Sequence, residues 1–227
     1  MHVVKRAAEA RLVSRVIVAT DDHRVVDAVT SFGGEARLTS PTARSGTDRV
    51  REAAKSLDAD ILVNVQGDEP LIEPSTIDAA ITSLLENSQT EISTTSEPIT
   101  SLEDVFNPNV VKVVSDSQGF ALYFSRSPIP YIRPGAGLSL EEHLRGNPRL
   151  LAHYRKHSGL YAYRSQFLRA FAAMEDSPLE LLEALEQLRA LEFGHRIRVV
   201  RVDHRSIGVD TRQDYERVKK IIEDGSA

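Results

Sequence analysis

The sequence predicts an α/β fold: a mostly parallel sheet covered by helices, with a β-hairpin subdomain grown from the same sheet. Three observations carry this. Helical and strand patterns alternate through residues 2–86, the order of successive βαβ units. The run ILVNVQGDEP at 61–70 begins as a near-continuous apolar stretch, as a buried parallel strand does, and stops abruptly at Gln66-Gly67. Two strand-like runs, VVKVVS at 110–115 and FALYF at 120–124, flank Asp116-Ser117-Gln118-Gly119, which reads as a hairpin turn.

The elements follow in order. His2–Arg11 reads as a helix and Arg15–Thr20 (RVIVAT) as a strand. Asp22–Phe32 is a helix with Val25, Val26 and Val29 on one face, stopped by Gly33-Gly34. Glu35–Leu38 is a short strand. Ser45–Ser56 is a helix with Ser45 as N-cap and Asp48 three residues on, a capping-box variant. Asp60–Gln66 is a strand, and Pro74–Glu86 a helix with proline in its first turn. After the hairpin, Pro128, Pro130 and Pro134 stiffen a loop that Gly135 and Gly137 loosen, so Pro134–Arg149 is expected to be a mobile surface segment. Ser158–Tyr163 is a strand, Pro178–Phe193 one long amphipathic helix, Arg196–Val202 a strand, and Thr211–Glu223 a helix capped by Thr211. No linker divides the chain. A single domain over 1–227 is expected, with residues 105–165 as the hairpin subdomain.

Bulk properties exclude several classes. The 227 residues carry no cysteine, which removes disulfides, cysteine–zinc sites and a thiol nucleophile. No apolar run approaches the roughly 20 residues that span a bilayer. The net charge of −5 disfavours nucleic acid or an anionic membrane as partner. An anionic substrate would have to meet a local cluster of Arg, His or a divalent cation.

Ligands of open α/β sheets bind at the carboxyl ends of the strands. Asp68 and Glu69 sit at that end of the 61–66 strand, where a carboxylate is placed to hold a cation against phosphate. Asp210 follows Gly208-Val209 at another strand-to-helix turn and is the natural second carboxylate. Each also admits a plain reading, Asp68 as a turn residue and Asp210 as a helix cap. Arg126, between a strand end and a proline-rich loop, has the fork to grip a carboxylate bidentately, or to form an exposed salt bridge. The spacing of His2, His23, His143, His153, His195 and His204 fits no zinc motif, and all six read as surface or loop residues.

The motifs NVQGDEP (64–70), SGTDR (45–49), FSRSPIPY (124–131), KHSGLYAYR (156–164), LEQLR (185–189) and IGVDT (207–211) resemble those of 3-deoxy-manno-octulosonate (Kdo) cytidylyltransferases, with the same order and compatible spacing along essentially the whole chain. The resemblance implies a three-layer α/β/α nucleotidyltransferase fold and the transfer of CMP from CTP to the sugar acid Kdo, for lipopolysaccharide biosynthesis. It further implies Mg²⁺ held by Asp68 and Asp210, a cytoplasmic location and a homodimer. Arg126, His157, Tyr161, Glu186 and Gln187 match positions around the sugar acid; Gln66 and Arg49 match the nucleotide side. The bland alternatives are a core position for Tyr161, a solvated helix face for Glu186 and Gln187, and pairing of Arg49 with Glu52 or Asp48. Another acidic sugar, of amino-Kdo or neuraminic type, and an inactive nucleotide-sugar-binding paralogue are the competing functions.

The departure lies at the amino end. Family members begin with a strand and a loop of the form PAR…S.RLPGKPL, whose backbone N–H groups, Arg and Lys meet the triphosphate. Residues 1–11 hold no glycine and offer no substitute. The expectation is an N-terminally incomplete domain that binds CTP poorly, through a late start codon, a truncation or a degenerate copy. The strands at 15–20 and 61–66 would then each lack a neighbour.

Overall fold

Most predicted elements form where their patterns place them in a computed structural model, which describes residues 1–43, 45–171, 173–204, 207–209 and 211–224. Helix α1 (His2–Ala8) ends earlier than the expected His2–Arg11. The N–H groups of Arg11 and Leu12 donate to the buried Asp78 carboxylate, at 3.1 and 2.9 Å, and draw the chain off the helix axis. Strand β1 (Ile17–Thr20), helix α2 (His23–Ser31) and strand β2 (Glu35–Leu38) then make a parallel βαβ unit in register Ile17↔Glu35 to Thr20↔Leu38. Asp22 caps α2 by accepting Arg24 N–H at 2.8 Å. Helix α3 (Gly46–Ala54) is capped by Ser45, whose Oγ accepts Asp48 N–H at 3.2 Å.

The main sheet has six strands: β3 (Ile61–Asn64), β4 (Ile92–Pro98), β5 (Lys112–Ser115), β6 (Ala121–Ser125), β7 (Arg155–Arg164) and β8 (Ile197–Arg201). Their order is β6-β5-β7-β4-β8, with β3 also pairing β7. Strands β3, β4, β5 and β8 run one way, and β6 and β7 the other. Four of the six strands thus share one direction, but among the described residues β4–β8 is the one parallel ladder of this sheet; β3, expected to be a buried parallel strand, pairs antiparallel with β7 and is mostly half-buried. The β5–β6 hairpin turns at 116–119 as its pattern predicts, and Val199 N–H donates to Gly119 O at 2.8 Å, so the hairpin tip reaches β8. Among the described residues β1 pairs only β2, and β3 only β7, so each keeps an open edge.

Three differences from the sequence reading matter for the site. Strand β4 (ISTTSEP) lies in the middle of the sheet with almost no exposure, yet its sequence has no apolar alternation. Two of its buried hydroxyls are satisfied there, Ser93 Oγ donating to Ala80 O (2.7 Å) and Thr94 Oγ1 to Leu160 O (2.6 Å), while Thr95 Oγ1 is buried with no partner among the described residues. The segment 134–149, expected to be mobile, holds helix α6 (Leu140–Gly146). A reciprocal Ser139–Glu142 capping box starts it, and Leu140 and Leu144 pack with Ile99, Val105 and Tyr154. The single helix expected over 178–193 is two, α8 (Pro178–Glu183) and α9 (Gln187–Glu192). They are separated at Ala184, a left-handed residue at φ 50°, ψ 50°.

Helix α4 (Pro74–Leu85) and α1 cover one face of the sheet, burying Ile77, Ile81 and Leu84 against Leu160 and Ala162. On the other face helix α7 (Ser165–Phe171), α9 and the hairpin enclose Tyr161, Tyr163, Phe167, Phe171 and Leu188. This is the three-layer arrangement expected. Helix α5 (Leu102–Phe106) adds to the cluster under α6, and helix α10 (Arg212–Glu223) follows Thr211 with a full capping box.

Candidate active site

Strand β3 ends in two side-chain amides. Gln66 Nε2 donates to Asn64 Oδ1 at 3.1 Å, and the N-terminus of α3 lies directly on this pair. A Cβ at Gly46 would stand 3.3 Å from Gln66 Nε2 and 3.4 Å from Asn64 Nδ2, so glycine permits the close approach. Across from them Gly159 adopts φ 61°, beside the register shift in the β4–β7 ladder. Beyond Gln66 the chain turns, and the Asp68 side chain is exposed. The Asp68 carbonyl accepts Val209 N–H at 2.8 Å, which ties the strand end to the 207–209 segment. Asp210, the second predicted carboxylate, lies outside the described residues. An exposed carboxylate at a strand end fits a hard cation that keeps most positions for water and phosphate oxygens.

Glu186 sits against α3. Its carboxylate accepts Ser45 Oγ at 2.9 Å and Arg189 Nη2 at 3.1 Å, and Tyr163 OH and Thr47 Oγ1 are 3.4 Å apart beside it. Burial nevertheless pushes the Glu186 carboxyl above its usual range, against the opposing pull of Thr47, Ser45 and Arg189. Arg189 is itself buried, over the Phe171 ring at 4.4 Å and flanked by Glu180 (3.2 Å) and Asp176 (3.9 Å) as well as Glu186. Glu186 is therefore not on a solvated helix face. Sequence reasoning missed Thr47 and Arg189, and saw Ser45 only as a cap. All three lie in the SGTDR and LEQLR motifs, which was the available signal.

His157 and Tyr161 project from β7 into one aromatic row. The His157 ring meets Phe124 edge-on at 5.0 Å and Tyr161 at 5.2 Å, and Tyr161 stacks on Tyr163 at 5.7 Å. Thr94 gives its only hydroxyl hydrogen to Leu160 O, so His157 Nε2, 2.9 Å from Thr94 Oγ1, is the donor of that pair. This leaves Nδ1 as the ring's acceptor. Burial, with help from Lys156, drives the His157 pKa down to about 3. Tyr161 OH and Gln187 Nε2 are both buried without a hydrogen-bond partner among the described residues, the state of polar groups that require a ligand or water.

Two arginines do not stand as the sequence suggested. Arg126 spends its fork on main-chain carbonyls: Nε on Glu183 O (2.7 Å), Nη1 on Pro108 O (2.9 Å) and Nη2 on Ala184 O (3.2 Å). Among the described residues it forms no salt bridge, and its fork is not open to grip a carboxylate. Arg49 pairs with neither Glu52 nor Asp48. It donates to Asp21 Oδ2 at 2.8 Å and Thr39 Oγ1 at 3.1 Å, while Glu52 accepts Ser40 N–H. His195 also departs from the bland reading, with Nδ1 2.9 Å from Glu91 Oε2 and its ring edge-on to Phe167 at 4.9 Å.

A family model described as "Cytidylyltransferase" matches residues 1–197. The chain is 54% identical over 217 residues to the 3-deoxy-manno-octulosonate cytidylyltransferase of Geobacter sulfurreducens, covering 96% of this chain and 86% of that protein. It is 52% identical over 223 residues to the enzyme of the same name from Geotalea daltonii, covering 98% and 87%. A solved structure of CMP:2-keto-3-deoxy-manno-octonic acid synthetase complexed with CTP is similar at a TM-score of 0.86 and 37% identity, over 99% of this chain and 87% of that one. The 4-diphosphocytidyl-2C-methyl-D-erythritol synthase of Anaerococcus prevotii shares the fold alone, at a TM-score of 0.60 and 13% identity, over 98% and 87%.

Proposed function

The chain belongs to the 3-deoxy-manno-octulosonate cytidylyltransferases, and we propose that it transfers CMP from CTP to the sugar acid Kdo, releasing pyrophosphate. The observation that carries the reading is the meeting of three chain segments at the carboxyl end of β3: Gly46 on the Asn64–Gln66 pair, Ser45 on Glu186, and Val209 on Asp68.

Nucleotidyl transfer is chiefly positioning and charge neutralisation. The anomeric hydroxyl of Kdo attacks the α-phosphorus of CTP, and pyrophosphate leaves. Mg²⁺, when bound, supplies the positive charge that offsets the phosphates, and Asp68 with Asp210 are the residues that would hold it. Gln66 belongs to the nucleotide side. Arg49, pinned by Asp21, holds the β1–α2 and β2–α3 turns beside it. On the sugar side, Tyr161 OH and Gln187 Nε2 are unspent donors for an acid rich in oxygens. His157 stays neutral and offers Nδ1 to a sugar hydroxyl. Glu186 accepts hydroxyl hydrogens in place of Ser45.

The product's role in lipopolysaccharide biosynthesis, a cytoplasmic location and a homodimer belong to the same reading. The exposed Leu122 (63%) and Tyr131 (67%) on and after β6 support a subunit contact there. Sedimentation showing only monomer at micromolar concentration would remove it. The decisive assay follows pyrophosphate release from CTP with Kdo, an amino-Kdo and a neuraminic-type acid. Kdo is expected to give the highest kcat/KM; another acid ahead of it would reassign the substrate, and no release with any acid would reject the activity.

A further inference from the structure

Glu183, the last residue of α8, is the hub of a polar network that takes in Arg126, one of the residues matched to the sugar acid. Its Oε1 accepts Ser125 Oγ at 2.7 Å and its Oε2 accepts Arg126 N–H at 2.9 Å. Arg126 returns the contact with its guanidinium, which clasps Glu183 O, Ala184 O and Pro108 O. Behind it Lys112, with no exposed surface, donates Nζ to Arg126 O (2.6 Å) and Asn107 O (2.9 Å). The end of β6 thus grips one point of the chain through Ser125 and Arg126, and Lys112 and the 107–108 loop hold Arg126 from behind.

That point is the break between α8 and α9. Ala184 is the one non-glycine residue at positive φ among the described residues. A residue with a Cβ avoids this region, and helices that end this way usually do so on glycine. Two positions later Glu186 meets Ser45, and Gln187 presents its unpaired Nε2. A helix continuing through Ala184 would carry both side chains round to other directions. An apolar contact would hold two helices together at less desolvation cost than this set of charges, whereas a fully satisfied polar network selects one geometry.

We propose that the Glu183–Arg126 clamp, backed by Lys112, is a positioning device for the sugar-acid subsite: it holds Ala184 left-handed and so fixes where Glu186 and Gln187 meet the sugar. This rests on Glu186 and Gln187 contacting the sugar acid. Arg126 is then a positioning residue that touches backbone, not substrate.

The test uses the full chain with CTP and Kdo, measuring kcat, the KM for each substrate and the thermal midpoint. Glu183→Gln and Arg126→Lys should raise the KM for Kdo about tenfold while the KM for CTP stays within about twofold. Ala184→Gly, which takes up the left-handed region unaided, should leave the KM for Kdo near that of the unaltered chain and, combined with Arg126→Lys, should recover most of what the clamp variant loses. Ala184→Val, whose branched side chain resists that region, should raise the KM for Kdo in the same selective way as the clamp variants. The proposal is overturned if the KM for CTP rises in step with that for Kdo, or if the clamp variants lower the thermal midpoint and leave the KM for Kdo unchanged. Glu186→Gln and Gln187→Ala are run alongside. If neither moves the KM for Kdo, the subsite reading is wrong and the clamp proposal falls with it. If they move it and the clamp variants do not, the clamp alone is refuted.

Discussion

Thr94 fixes the tautomer of His157, because its own hydrogen is committed to the Leu160 carbonyl and its oxygen can only accept from Nε2. The ring is neutral and buried, with a pKa lowered to about 3 from an ordinary 6.5. The unfolded chain therefore binds a proton between those limits that the folded chain refuses. Stability contributed by neutral His157 is complete above pH 6.5 and is lost as pH falls toward 3, at about 1.4 kcal/mol per pH unit. Urea denaturation at pH 7.0, 5.5 and 4.5 should show this acid slope in the native chain, and His157→Gln should flatten it. Equal slopes in the two proteins would mean that the ring takes up its proton without unfolding.

The Glu186 carboxyl has the opposite linkage. Burial raises its folded pKa above the ordinary 4.5, so the folded state prefers the protonated form. Its favourable contribution is present below the unfolded pKa and is lost as pH rises through the folded value; near neutrality the charge costs stability. Arg189 keeps Glu180 and Asp176 beside it if Glu186 is neutralised. Glu186→Gln should therefore raise the thermal midpoint at pH 7.5 and bring no gain near pH 4, while kcat/KM for Kdo falls at least about tenfold. A midpoint that drops at pH 7.5 would show that the Arg189 pair outweighs the burial cost.

The fold was legible wherever a pattern is local. The apolar run at 61–65, the Asp116–Gly119 turn and the caps at Ser45 and Thr211 each act over a few residues, and each element formed in place. Strand β4 escaped because its Ser93 and Thr94 hydroxyls are satisfied by carbonyls of α4 and β7, partners 13 and 66 residues away. The break at Ala184 escaped because nothing in the residue type announces it; the contact to its carbonyl comes from Arg126, 58 residues earlier. Helix α6 was legible in the Ser139–Glu142 spacing but hidden by Gly135 and Gly137. The site divides in the same way. Gln66 and Asp68 follow from the strand end, whereas the partners of Arg49 and Arg126 depend on the assembled fold.

The open edges of β1 and β3 should be visible in amide exchange. Each strand of a ladder directs alternate N–H groups to either side, and among the described residues β1 and β3 have a partner on one side only. Strand β4 is enclosed by β7 and β8. Alternate amides within Ile17–Thr20 and Ile61–Asn64 should exchange at least about 100-fold faster than those of Ser93–Ser96. Uniform protection along β1 and β3 would mean that these edges are covered in solution, by a second copy or another segment.

Asp68 allows the cation reading to be separated from the plain turn reading. Its link to Val209 runs through the main-chain carbonyl, and its side chain is exposed, so Asp68→Asn removes a charge and keeps the structural contact. The thermal midpoint should stay within about 1 °C, since an exposed substitution away from caps and core is nearly neutral. Chelation with EDTA should stop pyrophosphate release, and added Mg²⁺ should restore it. In Asp68→Asn the rate at saturating Mg²⁺ should fall at least about 100-fold, and the Mg²⁺ concentration for half-maximal rate should rise, because a carboxylate ligand has been exchanged for a neutral amide. If instead the midpoint drops and the Mg²⁺ dependence is unchanged, Asp68 serves the turn alone and the cation is held elsewhere.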